Sequence, residues 1–525
     1  MVERLLRVIE VLRDENRRLR EEIERLKGIP PRPQRQASSL EQPTPPDDPC
    51  RKKGKKKRRC RRHSGKRHKT AQLRIDETIP CAPPQLPAGA RLVGHRDFVV
   101  QDLVLGSHNT CYRREVHQLP DGSYATGALP SDVQGHFGPT LRSFVLYQYY
   151  QNHVTQPLVL EELRELGVDI SAGEIDRLLH EGHEAFHAEK AALLPAAREI
   201  SRYFQTDDTP GRHRGRNVHT HYLGNEFFAA FTTTETKSRV NFLQLLRAPW
   251  EDYIVGGDAL FYLEFQGLSQ KLLAQLRAAV GEEGLFVEGD AAWQRQLDAW
   301  GISGEEPRRM ITEGALFGSL MYHDLYVDQP IISDDAGQFK ILGYAHGLCW
   351  LHAERSVAGL VPLSAQQHRT LERVRGQIWR YYQRLKAYRA QPTPRKKTRL
   401  ERDFDRLFLR RTTWAELNET LARLHAKKEQ LLLVLEHPEL PLHNNLAERD
   451  IREWAKKRKI SAGTRSELGR RCRDTFLSLK KTCRKLGVSF WRYVTDRVAK
   501  LGEVPSLPDL IRQAAAAVAA PTAPG

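Results

Sequence analysis

Three acidic positions in the sequence could together hold metal ions. Asp207 and Asp208 end a strand-like run, Asp334 and Asp335 follow a short apolar strand, and Glu448 lies in a helical stretch near the C-terminal end. Mg²⁺ prefers carboxylate oxygens and keeps positions open for water and phosphate oxygens. Two such ions about 4 Å apart activate the attacking oxygen and stabilise the leaving oxygen in phosphoryl transfer. The pattern therefore predicts a site for Mg²⁺ or Mn²⁺, with two ions, that acts on phosphodiesters.

Each aspartate pair follows a run that is typical of a strand, and the second of these runs is apolar. Sites in α/β sheets gather beyond the carboxyl ends of the strands, which would bring the two pairs together. Successive side chains of a strand point to opposite faces, so Asp207 and Asp208 cannot both enter one site. The strand pattern alone leaves open which aspartate of each pair binds metal.

Residues 443–452 contain no Gly or Pro and are predicted to begin a helix, with Asn444 or Asn445 as its N-cap. Helical spacing places Asn445, Glu448 and Arg452 on one face. The simpler alternative is an exposed helix with a Glu448–Arg452 ion pair, worth roughly a few tenths of a kcal/mol. The aspartate pairs upstream favour Glu448 as a third metal ligand.

The composition indicates a polyanionic partner. The length of 525 residues predicts several domains, and the net charge of +18 favours nucleic acid over a membrane surface. No apolar run approaches the ~18 residues that cross a bilayer. Seven widely spaced cysteines are not typical of a disulfide framework. We therefore expect a cytoplasmic protein, associated with the nucleoid when it is bound to DNA.

Residues 1–28 carry a heptad pattern, with leucine at every d position and β-branched residues or Asn16 at most a positions. This pattern is typical of a parallel two-stranded coiled coil and predicts a homodimer or higher oligomer. An amphipathic helix packed on its own chain is the alternative. Residues 29–70 are predicted to be a disordered Pro-rich and basic linker that binds phosphates. The cations expected to contact DNA there are Lys55, Lys56, Arg58 and Arg59.

Residues 71–135 are predicted to form a small β-rich region with a turn at 120–122. The cysteines in and before this region contain no C-x₂-C pair, and structural zinc sites usually bring their ligands in such pairs. The spacing therefore argues against zinc. These cysteines are Cys50, Cys60, Cys81 and Cys111.

Residues 136–198 are predicted to be helical and helix–turn–helix-like. Ser171 and Glu174 form a capping box at the start of the second helix of this motif. Arg177 would be exposed on that helix, as a DNA-reading helix requires, but the helix also carries acidic residues. A DNA-reading motif and a plain αα-hairpin both remain open.

Residues 199–362 are predicted to be the first part of an α/β catalytic core. Strands at 218–222 and 227–234, with a further strand at 239–246, would form an antiparallel meander. A helical insertion is expected at about 248–325. Cys349 and His352 are spaced for one helical face, and packing is the favoured interpretation of the pair, with His352 near the site.

The rest of the chain is predicted to be mostly helical. Residues 363–440 form a second helical insertion, and residues 441–503 return to the core and end in a helix pair. The Ala- and Pro-rich residues 504–525 are expected to be a disordered tail.

Four motifs resemble those of a known family. They are Gln-Thr-Asp207-Asp208-Thr-Pro, Ile-Ser-Asp334-Asp335-Ala, Leu-Cys349-Trp-Leu-His352-Ala and Asn445-Leu-Ala-Glu448-Arg449-Asp-Ile-Arg452. The chain resembles the D,D,E transposases with a ribonuclease-H-like core, in particular the insertion-sequence sixty-six family, over nearly its whole length. The resemblance implies an α/β core of ribonuclease-H-like type with helical insertions, preceded by a coiled coil and a helical DNA-binding region.

The resemblance also implies an activity, a site and partners. The enzyme would cleave DNA strands at the ends of a mobile element and transfer them into target DNA, with metal ions held by Asp207, Asp334 and Glu448. Accessory proteins of the same element are expected partners, and a membrane is not. The further residues expected to contact DNA are Arg449, Arg452, Arg458 and Lys459, and those expected to support the site are His352 and Asn445.

The sequence departs from the family pattern at several points. Members of the family usually have Asp-Glu-Thr at the first site and Asp-Gly at the second. The resemblance therefore assigns the metal-binding role to the first aspartate of each pair, Asp207 and Asp334. The cysteine-rich zinc segment of the family is degenerate within 71–135, and the insertion at 248–325 is longer than expected. Two alternatives remain: a non-catalytic dimeric DNA-binding regulator or decayed transposase, and a ribonuclease-H-like nuclease without joining activity.

Overall fold

The computed structural model describes residues 75–79, 105–130, 133, 135–325 and 329–519. The chain divides into two units, Met1–Pro30 with Thr110–Gly525, and Pro31–Asn109. The described residues of the second unit form neither helix nor strand. Several predicted features lie outside the described residues: the coiled coil at 1–28, the cations Lys55, Lys56, Arg58 and Arg59, and the cysteines Cys50, Cys60 and Cys81.

Every helix and strand within the described residues belongs to the first unit. In chain order the strands are β1 (Val116–Gln118), β2 (Tyr124–Thr126), β3 (Phe204–His213), β4 (Arg216–Gly224), β5 (Ala229–Thr234), β6 (Asp252–Val255), β7 (Leu285–Glu288), β8 (Ile331–Ser333) and β9 (His346–Leu348). The α-helices are α1 (Pro139–Leu146), α2 (Gln156–Glu165), α3 (Ala172–His180), α4 (Glu184–Ile200), α5 (Arg239–Arg247), α6 (Gly257–Phe265), α7 (Gln270–Val280), α8 (Asp290–Ala299), α9 (Glu305–Tyr322), α10 (Trp350–Ala358), α11 (Ala365–Ala390), α12 (Pro394–Phe408), α13 (Ala415–His425), α14 (Lys428–Leu431), α15 (Asn445–Ser461), α16 (Glu467–Lys485), α17 (Phe490–Ala499) and α18 (Leu507–Ala519).

A mixed five-stranded sheet organises the unit, with the strand order β5-β4-β3-β8-β9. β3, β4 and β5 form the predicted antiparallel meander. β8 pairs with β3 in parallel through Phe204–Ile331 and Gln205–Ile332, and β9 pairs with β8 in the same direction. Residues beyond β8 therefore lie at the same edge of the sheet as the residues that follow Gln205 in β3.

The outer strand β5 is covered by a helix rather than left open. Its backbone N–H groups at Ala229, Phe231 and Thr233 donate to side-chain oxygens of α16, at 3.1, 2.9 and 2.7 Å. The acceptors are one helical turn apart because each lies four residues from the next: Asp474, Ser478 and Thr482. An open strand edge invites pairing with other chains, so this contact also protects the sheet.

Helix α15 packs on one face of the meander. Its Ala447, Ile451 and Trp454 side chains are buried with residues of β4, β5 and α16 in one apolar cluster. A Cβ at Gly211 would overlap the Trp454 indole, so this close approach of helix to strand requires glycine. The packing fixes α15 against β3.

Two insertions add helices to the sheet. α6 to α9 lie in the first, together with a two-stranded sheet of β6 and β7 that the sequence did not predict. α11 to α14 form the second, and their apolar faces share a core of their own with α10. The turn at 120–122 forms as predicted between β1 and β2. Ser171 caps α3 as predicted, since its hydroxyl accepts the Glu174 N–H at 3.2 Å.

Three expectations were wrong. The strand that carries the first aspartate pair does not end there; β3 begins at Phe204 and continues to His213, because β4 pairs with it along this whole length. Residues 239–246 form a helix, not a strand, since the Ser238 hydroxyl caps α5 by accepting the Asn241 N–H at 3.3 Å.

The third wrong expectation concerns the C-terminal tail, predicted to be disordered from residue 504. Residues Leu507–Ala519 form α18. Leu507 and Ile511, one turn apart, are completely buried, and Arg512 pairs with Glu199 of α4 at 2.7 Å. Leu507 and Ile511 bury the apolar surface that holds this helix in place. The alanines that follow have side chains too small to do so.

Candidate metal and nucleic-acid site

The two aspartates in β3 point to opposite faces of the sheet. Asp207 lies opposite Tyr222 in β4, and the Tyr222 hydroxyl donates to Asp450 of α15 at 3.0 Å. Gln205, two residues before Asp207 and on the same face, donates to the His443 carbonyl at 3.0 Å. This face is therefore the one that α15 covers, and Asp207 shares it.

Asp208 faces the other side. Its carboxylate accepts a hydrogen bond from Gln338 and lies 4.0 Å from His219 Nδ1. The alternation of side chains along a strand thus separates the pair as expected. Of the two, Asp207 is the residue directed towards the start of α15.

The carboxyl group of Asp207 has an unusually high pKa. Burial first, and then the charges of Asp334, Asp208 and Glu448, raise this pKa from 3.8 to about 7, against one backbone hydrogen bond that lowers it. A like charge nearby disfavours ionisation. The carboxylates of Asp334 and Glu448, from two other segments, are therefore close enough to act on Asp207.

The second aspartate pair is also divided. Asp334 directly follows β8, and its Oδ1 accepts the Ala336 N–H at 3.1 Å. Asp335 forms ion pairs with Lys340, at 2.9 Å, and with Lys427. Burial raises the pKa of Asp335, but the two ammonium groups lower it more, so its pKa lies below the usual range. Asp335 has its counter-charges within the protein, whereas the charge of Asp334 acts on Asp207.

The start of α15 places Glu448. The helix begins at Asn445, after the buried N-cap Asn444. The Asn444 side chain donates to the Thr206 carbonyl at 2.7 Å, and its backbone N–H donates to Cys349 Sγ at 3.2 Å. Asn444 therefore joins β3, α10 and α15 at the point where Asp207 and Glu448 approach.

Two arginines and a histidine lie beside Glu448. Its Oε1 lies 3.7 Å from Arg355 and 4.0 Å from His352 Nδ1, and its Oε2 lies 3.6 Å from Arg452. The predicted Glu448–Arg452 pair is present, but Glu448 is only 15% exposed. Oε1 is buried and accepts no hydrogen bond within the described residues.

This donor set fits hard divalent cations. Carboxylate oxygens are the ligands that Mg²⁺ and Mn²⁺ prefer. A cation between Asp207, Asp334 and Glu448 would neutralise the repulsion that raises the pKa of Asp207 and would give Glu448 Oε1 a partner. Cys349, His352 and Glu448 form a second group with metal-ligating donor atoms, all within 4.8 Å of one another.

The remaining predicted site residues have varied surroundings. Arg449 and Lys459 are exposed on α15, and Asn445 is half-buried in its first turn. Arg458 donates to the Pro210 carbonyl and stacks near the Trp454 ring. The sequence reasoning missed Gln205 and Arg355; the alternation of β3 would have indicated Gln205, and the i,i+3 spacing from His352 would have indicated Arg355.

Acidic side chains at the edge of a mixed α/β sheet make the fold compatible with a nuclease-like core. Within the described residues, no helix is both long and apolar enough to cross a membrane. The family model described as "Transposase IS66 family" matches residues 303–471, which include Asp334 and Glu448. An uncharacterized protein, y4jO of Sinorhizobium fredii (strain NBRC 101917 / NGR234), is 41% identical over 313 residues, 59% of this chain and 96% of that protein.

The chain belongs to the IS66 family of transposases. Membership implies that it binds DNA.

Proposed function

We propose that this protein is a D,D,E transposase that cleaves DNA strands at the ends of a mobile element and joins them to target DNA. The observation that carries the proposal is a pair of contacts: Asn444, four residues before Glu448, donates to the Thr206 carbonyl beside Asp207, and β8, which Asp334 follows, pairs with β3. Carboxylates gathered in this way in a folded protein are costly unless a cation joins them. Their arrangement supports a metal-binding role.

The order of the strands supports a ribonuclease-H-like core. Three antiparallel strands continue into two parallel strands, and α10 follows the last strand directly. Asp207 lies in the central strand β3, and Asp334 follows its parallel neighbour β8. Glu448 follows the second insertion in sequence and lies in the first turn of α15. Asn444 ties this end of α15 to β3.

Asp207, Asp334 and Glu448 would hold Mg²⁺ or Mn²⁺. Such ions supply charge neutralisation and activation of the attacking oxygen in phosphoryl transfer. The protein contributes the positions of the carboxylates: Asn444 ties α15 to β3, and Gln205 ties β3 to the residue before Asn444. Arg355 and Arg452, exposed beside Glu448, would bind phosphate oxygens of the DNA.

A basic stripe on α15 supports DNA binding beside these acids. Arg449, Arg452, Lys456 and Lys459 are all exposed and recur at spacings of three and four residues, so they lie along one helical face. The stripe begins next to Glu448. DNA laid along it would bring a phosphodiester to the carboxylates, and the basic linker at 29–70 and a dimer through 1–28 would add further contacts.

The test compares each proposed ligand with the neighbouring aspartate. Asp207→Asn, Asp334→Asn and Glu448→Gln are assayed for Mg²⁺-dependent cleavage of DNA that carries the element ends, with Asp208→Asn and Asp335→Asn as matched controls. We expect each of the first three to reduce cleavage to background while DNA binding persists, and both controls to cleave. Cleavage by any of the first three would contradict the assignment.

The same assay separates the alternatives. Products joined to a second DNA would support a transposase, and cleavage without joined products would indicate a nuclease. Mg²⁺-independent DNA binding with no cleavage by the unaltered protein would indicate a regulator or a decayed enzyme.

A further inference from the structure

The start of α10 and the first turn of α15 bring together three side chains of metal-ligating types. Cys349 is the N-cap of α10, His352 lies in its first turn, and Glu448 lies in the first turn of α15. One donor atom from each, a thiol sulfur, an imidazole nitrogen and a carboxylate oxygen, lies within 4.8 Å of the other two. This set differs chemically from the all-carboxylate set around Asp207.

The donor atoms of two of these residues lack hydrogen bonds. His352 Nδ1 and Glu448 Oε1 are both buried with no hydrogen-bond partner within the described residues, and they lie 4.0 Å apart. A buried polar atom without a hydrogen-bond partner destabilises the folded state. An ion between the two atoms would remove that destabilisation at both.

The third donor is the buried sulfur of Cys349. Cys349 Sγ already accepts the backbone N–H of Asn444 at 3.2 Å. The sulfur lies at the N-cap of α10, beside the first turn of α15. Sulfur is the donor type that soft, thiophilic metals prefer.

We propose that Cys349, His352 and Glu448 form a binding site for a thiophilic transition metal, with Zn²⁺ as the best fit. Zinc takes Cys, His and carboxylate ligands with tetrahedral geometry, and its bond lengths place two ligand atoms roughly 3.3–3.7 Å apart. With the donors within 4.8 Å of one another, they have to close by at most roughly 1.5 Å. His352 is 36% exposed, so the fourth position can be taken by water from that side.

Arg355 competes with the metal for this place. Its guanidinium lies 3.7 Å from Glu448 Oε1 and 3.4 Å from His352 Nε2. Arg355 is 57% exposed and can swing into solvent. A metal on His352 Nδ1 leaves the proton on Nε2, which would then face the Arg355 donor. Arg355 and the metal therefore exclude each other.

The site has a regulatory consequence that rests on the proposed function. A soft metal held by Cys349 and His352 would take Glu448 Oε1 away from Asp207 and Asp334. Micromolar zinc would then inhibit Mg²⁺-dependent cleavage, and a chelator selective for zinc would restore it.

Metal binding is tested first without DNA. The full-length protein is titrated with Co²⁺ as a spectroscopic substitute for Zn²⁺, and the thiolate-to-cobalt charge-transfer band and the bound stoichiometry are recorded. Cys349→Ser should lose this band and one equivalent of metal, and His352→Gln should weaken binding by on the order of a hundredfold, since even outer-shell changes cost about 10- to 100-fold. Cys111→Ser, which removes an exposed thiol, is the matched control and should retain both.

Arg355→Gln provides a test in the opposite direction. It removes the competing cation and should tighten Co²⁺ binding by roughly tenfold, because the ion no longer displaces a guanidinium from Glu448. Unchanged band intensity and stoichiometry in a folded Cys349→Ser variant would overturn the site, whatever the activity. Band loss in that variant together with an unaltered protein that never cleaves DNA would keep the site and reject the proposed function.

Discussion

The side-chain amide of Asn444 donates a hydrogen bond to the backbone carbonyl of Thr206 at 2.7 Å. Thr206 precedes Asp207 in β3, and Asn444 is the N-cap of α15, one turn before Glu448. This bond therefore joins the two chain segments that carry the first and third carboxylates, although 238 residues separate its partners. Asn444 is a positioning residue for the proposed site.

We expect Asn444→Ala to impair cleavage more than DNA binding. Loss of the amide leaves the buried Thr206 carbonyl without this donor, which should lower the free energy of unfolding by about 1–3 kcal/mol. A shift of about 1 Å at Glu448 can slow catalysis by roughly 100-fold. The cleavage rate, measured against Mg²⁺ concentration, should require more Mg²⁺ for half-saturation and recover partly when Mg²⁺ is raised.

Asn217→Ala is the control for that variant, because Asn217 is an exposed asparagine of β4 that lies opposite Arg212, five residues beyond Asp207. It should leave the Mg²⁺ dependence unchanged. A stability loss in Asn444→Ala with an unaltered Mg²⁺ dependence would show that Asn444 supports the fold alone.

The pKa of Asp207 predicts a specific dependence of stability on pH. Burial and neighbouring carboxylates raise this pKa from 3.8 to about 7. Between these two values the folded state binds more protons than the unfolded state, so this group makes the protein less stable as pH rises from about 4 to about 7. Asp207→Asn removes the effect and should stabilise the metal-free protein above pH 7, by on the order of 2–4 kcal/mol.

Unfolding of the two proteins at several pH values, with EDTA and then with Mg²⁺, checks this prediction. Mg²⁺ should stabilise the unaltered protein above pH 7, because it binds the folded state, and should have little effect on Asp207→Asn. Identical pH profiles for the two proteins would exclude Asp207 as the titrating group.

The acidic positions could be predicted from sequence because a strand followed by carboxylates is a local pattern. The strand pattern could not choose between Asp207 and Asp208, and only the family resemblance favoured Asp207, since alternation separates the two faces without showing which face α15 covers. That depends on Trp454 packing over Gly211, a contact between residues 243 positions apart in sequence. The error at 239–246 has a local cause: Ser238 caps a helix, and its hydroxyl outweighs the β-branched and aromatic residues that favoured a strand.

A buried ion-pair network should contribute more to stability than any exposed pair. Lys480 is 3% exposed, and its ammonium donates to Glu453 at 2.7 Å, while His153 lies 2.8 Å from the same carboxylate oxygen. Glu453→Ala leaves a buried cation without its counter-charge, which typically costs about 3–5 kcal/mol. Chemical denaturation measures the loss, and the double change Glu453→Leu with Lys480→Met should recover most of it.

The exposed pair of Glu264 and Arg277 is the control for this comparison, since both side chains are about half exposed, at 50% and 51%. Glu264→Ala should cost less than about 1 kcal/mol. Equal losses in Glu453→Ala and Glu264→Ala would contradict the burial argument.

The basic stripe on α15 predicts how DNA binding depends on salt. Each cation that neutralises a phosphate releases counterions, so the slope of log affinity against log salt should fall by about 1 for each contact removed. Arg449→Gln and Lys459→Gln are each expected to show this change relative to the unaltered protein. The double variant should show about twice the change. Arg295→Gln, which removes an exposed arginine from α8, should leave the slope unchanged.

Fluorescence anisotropy of a labelled duplex across a salt series measures the slope for the unaltered protein and for each variant. Equal slopes for the α15 variants and Arg295→Gln would place the DNA on another surface.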